Sequence, residues 1–500
     1  MGDVANSVPV TGPRQAVYVG ANDGMLHAFS VQTGEELFAY VPRTLLPGLG
    51  AYTSPDYAHR GLADGPPAVG EVRAANGARK TVLVSGNGGG ATGVFALDVT
   101  DPAAFAADKV MWEFSGADDR DMGHLTQPPR LMKFRTAAAS RGRPAVHGWF
   151  AVVPSGFNSA NPEGRAALFL LSLDKAPGVP WARGVNYHKV VLPSPADKTV
   201  VNALGVPGDF AGTEGAVRFL YAGDTLGNLW RFSFTGNAPW DEGNALSFEG
   251  HPLMVAVGAG AGAKRQPITV APVVGRGADG GAIVLFGTGK FVSPEDFARA
   301  SHGLQSVYAV HDNGTPVPMG AARAQLEVRS AVASAGEGSV AITGRAFAYG
   351  QPHGWRGWYF DLPASSSQGE RLVFNPVLSD GQLFFNTLIP STGAGACDRG
   401  GGRSCAVNAL TGLSKDGTCV PSDTGIWGPP LLAQLGEVGV GATDMFGRRT
   451  ETRRMAVIHV GARGGRSAIS TSSPVADGKV SRIAGRLNWR QVIDHKGAKP

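Results

Sequence analysis

The sequence contains no G-x-S-x-G elbow, no H-E-x-x-H zinc helix and no C-x-x-C pair. The common signatures of nucleophilic, zinc and dithiol chemistry are therefore excluded. No apolar run reaches the length of a membrane-spanning helix, so no membrane-spanning segment is expected. Long stretches of helical periodicity are missing as well. Cysteine is scarce: the three residues are Cys397, Cys405 and Cys419, all in one short glycine-rich segment. A Cys397–Cys405 or a Cys405–Cys419 loop suits an oxidising compartment, and three free thiols suit a reducing one. The opening residues, Met1-Gly-Asp-Val-Ala-Asn6, lack the basic start and apolar centre of a secretory leader. They fit either a cytoplasmic chain or a piece cut from a longer secreted precursor. Charge is nearly balanced at +5, and basic pairs such as Arg453-Arg454 are interspersed with acids. No nucleic-acid partner is expected.

Glycine (72) and proline (34) are plentiful while 43% of residues are hydrophobic, which suits many short strands joined by turns. Strand-like runs recur, among them Ala16–Val19, Thr81–Val84, Val94–Leu97, Trp149–Val153, Ala167–Leu171, Arg218–Tyr221, Ala282–Phe286, Ser306–Val310, Trp358–Phe360, Gln382–Phe385 and Met455–Val460. One segment returns in outline. Tyr18-Val-Gly-Ala-Asn-Asp-Gly-Met-Leu-His-Ala-Phe-Ser30 matches Tyr221-Ala-Gly-Asp-Thr-Leu-Gly-Asn-Leu-Trp-Arg-Phe-Ser233 at Tyr, both Gly, Leu, Phe and Ser. It reads as strand, tight glycine turn, strand. A single hairpin cannot bury its own apolar face, so its recurrence implies an array. The expected fold is all-β: a single β-propeller over residues 1–500, with about seven four-stranded blades and inserted loops. Gly65-Pro-Pro67 and Ala271-Pro-Val273 read as starts of inner strands. Segments 101–109, 117–129 and 394–408 read as loop insertions, and Pro294–Ala300 as a short helix on a loop.

Gly88-Gly-Gly-Ala-Thr-Gly93 fits a dinucleotide fingerprint, but a strand follows it where phosphate binding needs a helix, so it reads as a hairpin turn. His27, beside the first repeat turn, reads as a packed or hydrogen-bonded residue. Asp118-Asp-Arg-Asp121 lacks the order of a calcium loop and reads as a solvated loop. Asp209, Thr213 and Glu214, directly before the Tyr221 hairpin, are the candidate metal residues of a degenerate calcium loop. They offer two charged donors and a neutral third, whereas calcium takes six to eight oxygens, so backbone and water would supply most ligands. No cofactor besides calcium is called for. Gly20–Gly34 also resembles the Asp-Gly-x-Leu-x-Ala…Thr-Gly repeat of quinone-dependent alcohol dehydrogenase propellers, which makes a periplasmic dehydrogenase one alternative; a host-surface adhesin without an assembly role is the other. Those enzymes carry adjacent cysteines, and no two cysteines are adjacent here.

A more extensive resemblance follows. Tyr18–Phe29 with Thr33-Gly-Glu-Glu-Leu-Phe-Ala-Tyr-Val-Pro42 resembles the first blade of the PilC/PilY-type propeller. Asp64-Gly-Pro-Pro67, Ala96-Leu-Asp-Val-Thr-Asp-Pro102, Trp112-Glu-Phe114, Tyr221–Phe232, Gly287-Thr-Gly-Lys290, Gly369-Glu-Arg-Leu372, Thr387-Leu-Ile-Pro390 and Gly485-Arg-Leu-Asn-Trp-Arg-Gln491 match in the same order. These blocks span nearly the whole chain. The resemblance implies the C-terminal propeller of a type IV pilus biogenesis and tip-adhesin protein, a non-enzymatic factor supporting pilus extension, adhesion and twitching motility. It implies minor pilins and the pilus tip as partners, with a host or abiotic surface beyond them. The implied location is secreted or cell-surface, at the pilus tip, after passage through the periplasm and outer membrane. A variable N-terminal region of the precursor would lie outside this chain. The family often has an aspartate-rich calcium loop before the Tyr-Ala-Gly-Asp hairpin. Here Gly215 takes the loop glycine and Glu214 the preceding acidic position. Phe210, Gly212 and Arg218 fall where other ligands would be, and Asp209 is out of register. No Arg-Gly-Asp tripeptide occurs.

Overall fold

The computed structural model describes residues 10–12, 16–56, 61–212, 214–260, 262–277, 280–298, 302–334, 338–350, 355–391, 400–414, 419–443, 448–463, 466–472 and 479–485. Seven sheets follow one another along the chain, with one small additional hairpin. The first contains β1 (Val10–Thr11), β2 (Ala16–Gly20), β3 (Leu26–Ser30) and β4 (Glu36–Tyr40); the second β5 (Pro67–Arg73), β6 (Arg79–Gly86), β7 (Val94–Asp98) and β8 (Val110–Phe114). The third holds β9 (Arg130–Ala137), β10 (Val146–Pro154), β11 (Ala167–Ser172) and β12 (Tyr187–Val191), and the fourth β13 (Gly208–Ala211), β14 (Val217–Gly223), β15 (Asn228–Ser233) and β16 (Met254–Val255). In each of these four sheets the strands pair in chain order as an antiparallel meander.

The fifth sheet begins the same way, with β17 (Val273–Arg276), β18 (Ala282–Gly287) and β19 (Ser306–Asp312). Its edge is elaborated: β20 (Glu327–Val328) pairs parallel to β23 (Gly357–Asp361), and β21 (Ser330–Ala333) with β22 (Val340–Thr343) forms the additional hairpin. The sixth contains β24 (Val377–Ser379), β25 (Gln382–Asn386), β26 (Arg403–Asn408) and β27 (Val420–Pro421). In the seventh, β28 (Leu431–Thr443) pairs with the long β29 (Arg448–Arg463), whose other edge takes β30 (Arg466–Ser472) and β31 (Lys479–Gly485) end to end.

The period of two along each strand explains the radial stacking. In β11 the run Ala167-Leu-Phe-Leu-Leu171 is fully buried. Ala167, Phe169 and Leu171 pack against the second sheet, while Leu168 and Leu170 pack against the fourth. A continuous apolar run is what a strand covered on both faces requires. Likewise Val284 and Phe286 of β18 face the fourth sheet, and Ile283 and Leu285 face the sixth. Six buried clusters result, one between each consecutive pair of sheets from first to seventh. Each large side chain so buried contributes about 1.5–3 kcal/mol of transfer free energy. This is a β-propeller.

The two copies of the repeat occupy equivalent hairpins. Gly20 pairs with Leu26 across β2–β3, and Gly223 with Leu229 across β14–β15. The turn glycines Gly24 and Gly227 have φ of +87° and +79°, the left-handed region that disfavours side chains. Tyr18 and Tyr221 are buried at equivalent places.

Two loop assignments need correction. The end of segment 394–408 is no insertion: β26 is a central strand of the sixth sheet, hidden in the sequence behind the glycines before it. Residues 392–399 lie outside the described residues. Segment 117–129 does connect two sheets, and Asp118 is exposed, but Asp119 and Asp121 are not solvated, as described below. Pro294–Phe297 is a short 3₁₀ turn, with residues 299–300 outside the described part. Cys405 on β26 forms a disulfide with Cys419, which decides between the two pairings; Cys397 lies outside the described residues.

Candidate functional site

The candidate calcium residues sit where the third and fourth sheets meet. Asp209 lies on β13, and its carboxylate is 3.3 Å from the Arg130 guanidinium of β9. Glu214 is exposed in the β13–β14 turn. Its carboxylate is 3.1 Å from Nε2 of His147 on β10, and its carbonyl accepts from Lys133 Nζ at 3.2 Å. Thr213 lies outside the described residues. The two carboxylates thus each face a cationic or protonatable side chain of the neighbouring blade, where a calcium ion needs further oxygens. Among the described residues, no group of three or more His, Cys, Asp and Glu side chains converges in a way that holds a metal.

The other acids are structural. Asp121 is fully buried and Asp119 nearly so. Lys189 of β12 inserts between them, 2.7 Å from Asp119 and in direct ion contact with Asp121, which Asn161 also bonds. This correction has a physical cause that spacing does not reveal: the neutralising cation is some seventy residues away in sequence.

Asp224, the aspartate of the second repeat hairpin, is fully buried. Its carboxylate accepts from Asn202 Nδ2 (2.9 Å), the Leu226 and Asn228 backbone amides (2.9 Å each), Asn228 Nδ2 (2.8 Å) and Trp230 Nε1 (2.8 Å). Desolvation raises its pKa, and these hydrogen bonds oppose the rise. In the first copy the same task falls to Asp23, which accepts from the Met25 amide at 3.1 Å and contacts His27 Nε2 at 2.9 Å. His27 occupies the position of Trp230, and its other ring nitrogen is 2.6 Å from Glu36. His27 is hydrogen-bonded, as its sequence context suggests.

The glycine-rich turn after β6 leads into β7, a strand, and holds a carboxylate of the protein itself. Asp64 accepts the Gly89 amide at 2.6 Å, and a Cβ on Gly88 would lie 1.9 Å from Asp64 Oδ1. This turn forms part of a cavity of about 940 Å³ at the end of the ring where first strands begin and second strands end. Val10 and Pro67 begin β1 and β5, and Pro128, Thr269, Phe374 and Pro429 lie on the segments leading into β9, β17, β24 and β28, so six of the seven blades, the first and seventh among them, reach its wall. No single sequence motif defines the cavity because its lining is scattered from Val10 to Pro429, although Asp64, Pro66, Pro67, Gly88 and Gly89 of the motifs above contribute to it.

A radial propeller whose acids are spent on turns and interblade ties is the class of protein the fold and these sites define. The signature of the PilY1 beta-propeller domain matches residues 4–327. The chain belongs to this family. It is 29% identical, over 98% of its length, to a type IV pilus biogenesis factor PilY1 homolog of Xylella fastidiosa. It is 30% identical, over 77% of its length, to the type IV pilus biogenesis factor PilY1 of Pseudomonas aeruginosa strain UCBPP-PA14. It spans about a third of each relative's own length, 36% and 34%. The crystal structure of the Pseudomonas aeruginosa PilY1 C-terminal domain superposes with a TM-score of 0.63 at 23% identity, covering 91% of this chain and 92% of that one. That likeness bears on the fold.

Proposed function

We propose that this chain is the propeller of a type IV pilus biogenesis factor. In this reading it supports pilus extension, stands at the pilus tip and promotes surface adhesion and twitching motility. The observation that carries the reading is the family match, together with relatives named as pilus biogenesis factors along most of the chain. The molecule would work as a stiff, non-catalytic scaffold: interblade cores resist deformation while the loops carry contacts. Minor pilins are the proposed partners, docking on loops or by strand addition, with a host or abiotic surface as a further contact. Export through the periplasm and outer membrane to the cell surface follows from that role. The Cys405–Cys419 disulfide supports passage through an oxidising compartment. No helix among the described residues is long and apolar enough to cross a membrane. The calcium role expected of Asp209, Thr213 and Glu214 is replaced in this proposal by ion pairs to Arg130 and His147.

A deletion strain examined by electron microscopy and on motility plates tests the role. Loss of extended pili and of twitching is expected, with recovery on complementation. Normal pili in the deletion strain would refute it.

A further inference from the structure

We propose that the outer edge of β28 is a docking site for an acidic β-strand of a minor pilin, which adds to the seventh sheet as a further strand. This inference deepens the pilus reading and rests on it for the identity of the partner. The strand that opens each of the other six sheets has two to eight residues. β28 has 13. Five residues beyond the longest of the others add about 17 Å of strand. Its first part belongs to the ring, where Leu432, Met455 and Val457 share the core with the sixth sheet. From Gly436 to Thr443 it runs past that core, beside the start of β29, whose other side takes β31 along Arg448–Arg454. A three-stranded sheet therefore projects from the end of the ring opposite the cavity.

The edge of this projection is open. Among the described residues none pairs with the outer side of β28. Gln434–Gly436 and Gly439–Thr443 are exposed. Leu435 and Val440 show apolar side chains there, 48% and 57% exposed. Register sets Leu435 level with Arg454 on one face of the sheet and Val440 level with Glu451 on the other. Unpaired N–H and C=O groups flanked by apolar side chains are a template for another strand, and soluble proteins commonly guard such an edge with Lys or Pro. β28 has neither, and its two register shifts bend the edge without covering it. The main-chain groups prescribe the occupant's backbone: an extended segment that completes the ladder.

Charge selects among such segments. Gly436–Thr443, Arg448–Arg454 and Lys479–Gly485 together carry six basic residues against Glu437 and Glu451. Glu451 is already paired with Arg449 at 3.0 Å. Arg454 is exposed and stands level with Lys479 across the β29–β31 pair. Like charges at facing positions repel. A second copy adding its own β28 would bring two such basic sheets together, whereas an acidic strand relieves the repulsion.

The test measures binding of the purified chain to the soluble domains of the same organism's minor pilins, one at a time, by calorimetry, with hydrogen–deuterium exchange on the complex. One of them should bind. The outward-facing amides of Gln434–Thr443 should then exchange at least tenfold more slowly, because the added strand closes the edge. Leu435→Glu combined with Val440→Glu puts negative charge on the edge and should weaken binding at least tenfold. Arg454→Ala should weaken it about threefold, and about 0.5 M sodium chloride should weaken it further. Circular dichroism establishes that each variant is folded; if the double variant is not, Arg454→Ala and exchange on the wild type decide. The proposal is overturned if no minor-pilin domain binds, if β28 exchanges equally in the free and bound chain, if the folded variants bind as the wild type does, or if the chain alone sediments as a dimer with β28 already protected. Each of these outcomes leaves the deletion strain to decide the pilus reading, so the edge can fail while that reading stands.

Discussion

Replacing Asp224 by alanine should unlock the fourth blade. Five donors converge on that one carboxylate, two from backbone amides and three from side chains, all in a site without solvent exposure. Each buried donor left unsatisfied costs about 1–3 kcal/mol, and water entering the vacated space offsets part of the sum. A net loss of about 4 kcal/mol is expected, at the upper end for single substitutions. Hydrogen–deuterium exchange reads this locally. Amides of β14 and β15 should lose protection by about a thousandfold, since 1.4 kcal/mol is tenfold. Asp23→Ala in the equivalent hairpin of the first blade removes, among its contacts, the Met25 amide bond and the His27 contact, from a partly exposed carboxylate. Its expected loss is about 1 kcal/mol, and protection there should fall about fivefold. Distant sites should not couple, so Asp224→Ala should leave β2 and β3 protected. Less than tenfold loss in β14 and β15, or equal effects of the two substitutions, would refute the assignment of Asp224 as the turn's organising acceptor.

Lys189→Ala leaves buried Asp119 without its cation and Asp121 with only the Arg165 guanidinium at 3.5 Å, and should destabilise the third blade by about 3 kcal/mol, measured by chemical denaturation. His188 is buried against Phe150 and Trp240, and burial lowers its pKa to about 4 from 6.5. The unfolded chain then binds more protons between those values, so stability is complete above pH 6.5 and falls with acidification, by about 2 kcal/mol at pH 5. His188→Phe should reduce that loss in a pH series of unfolding midpoints, and an unchanged slope would contradict it. Calcium should not shift the unfolding midpoint of either the wild type or Glu214→Ala, and a calcium-dependent rise that needs Glu214 would show that His147 and Arg130 yield the site to the ion. Cys405→Ala should cost about 3 kcal/mol for its loop of sequence separation 14, an effect reproduced by reductant on the wild type.

The strands were legible because their alternate residues are apolar on both faces, as in Ala167–Leu171, a pattern that survives without knowledge of the partner sheets. The repeat hairpin was legible for the same reason and because Gly24 and Gly227 must adopt positive φ. Cys405 and Cys419 were recognisable as one of two loops, yet choosing between them required knowing that β26 is a strand. Asp224 stood in plain view within the aligned motif. Its partner Asn202, however, comes from outside the hairpin, and the first copy has alanine at that place. Lys189 and the cavity were not legible, since Lys189 meets its acids only once the third sheet has folded and the cavity draws on residues from Val10 to Pro429.

The propeller's place in pilus biogenesis is the central claim. Deletion of the codons for this chain tests it most directly when sheared surface pilin is quantified by immunoblot. The account predicts that surface pilin falls to the level of a strain unable to assemble pili while total cellular pilin is unchanged. Wild-type amounts of sheared pilin in that strain would contradict it.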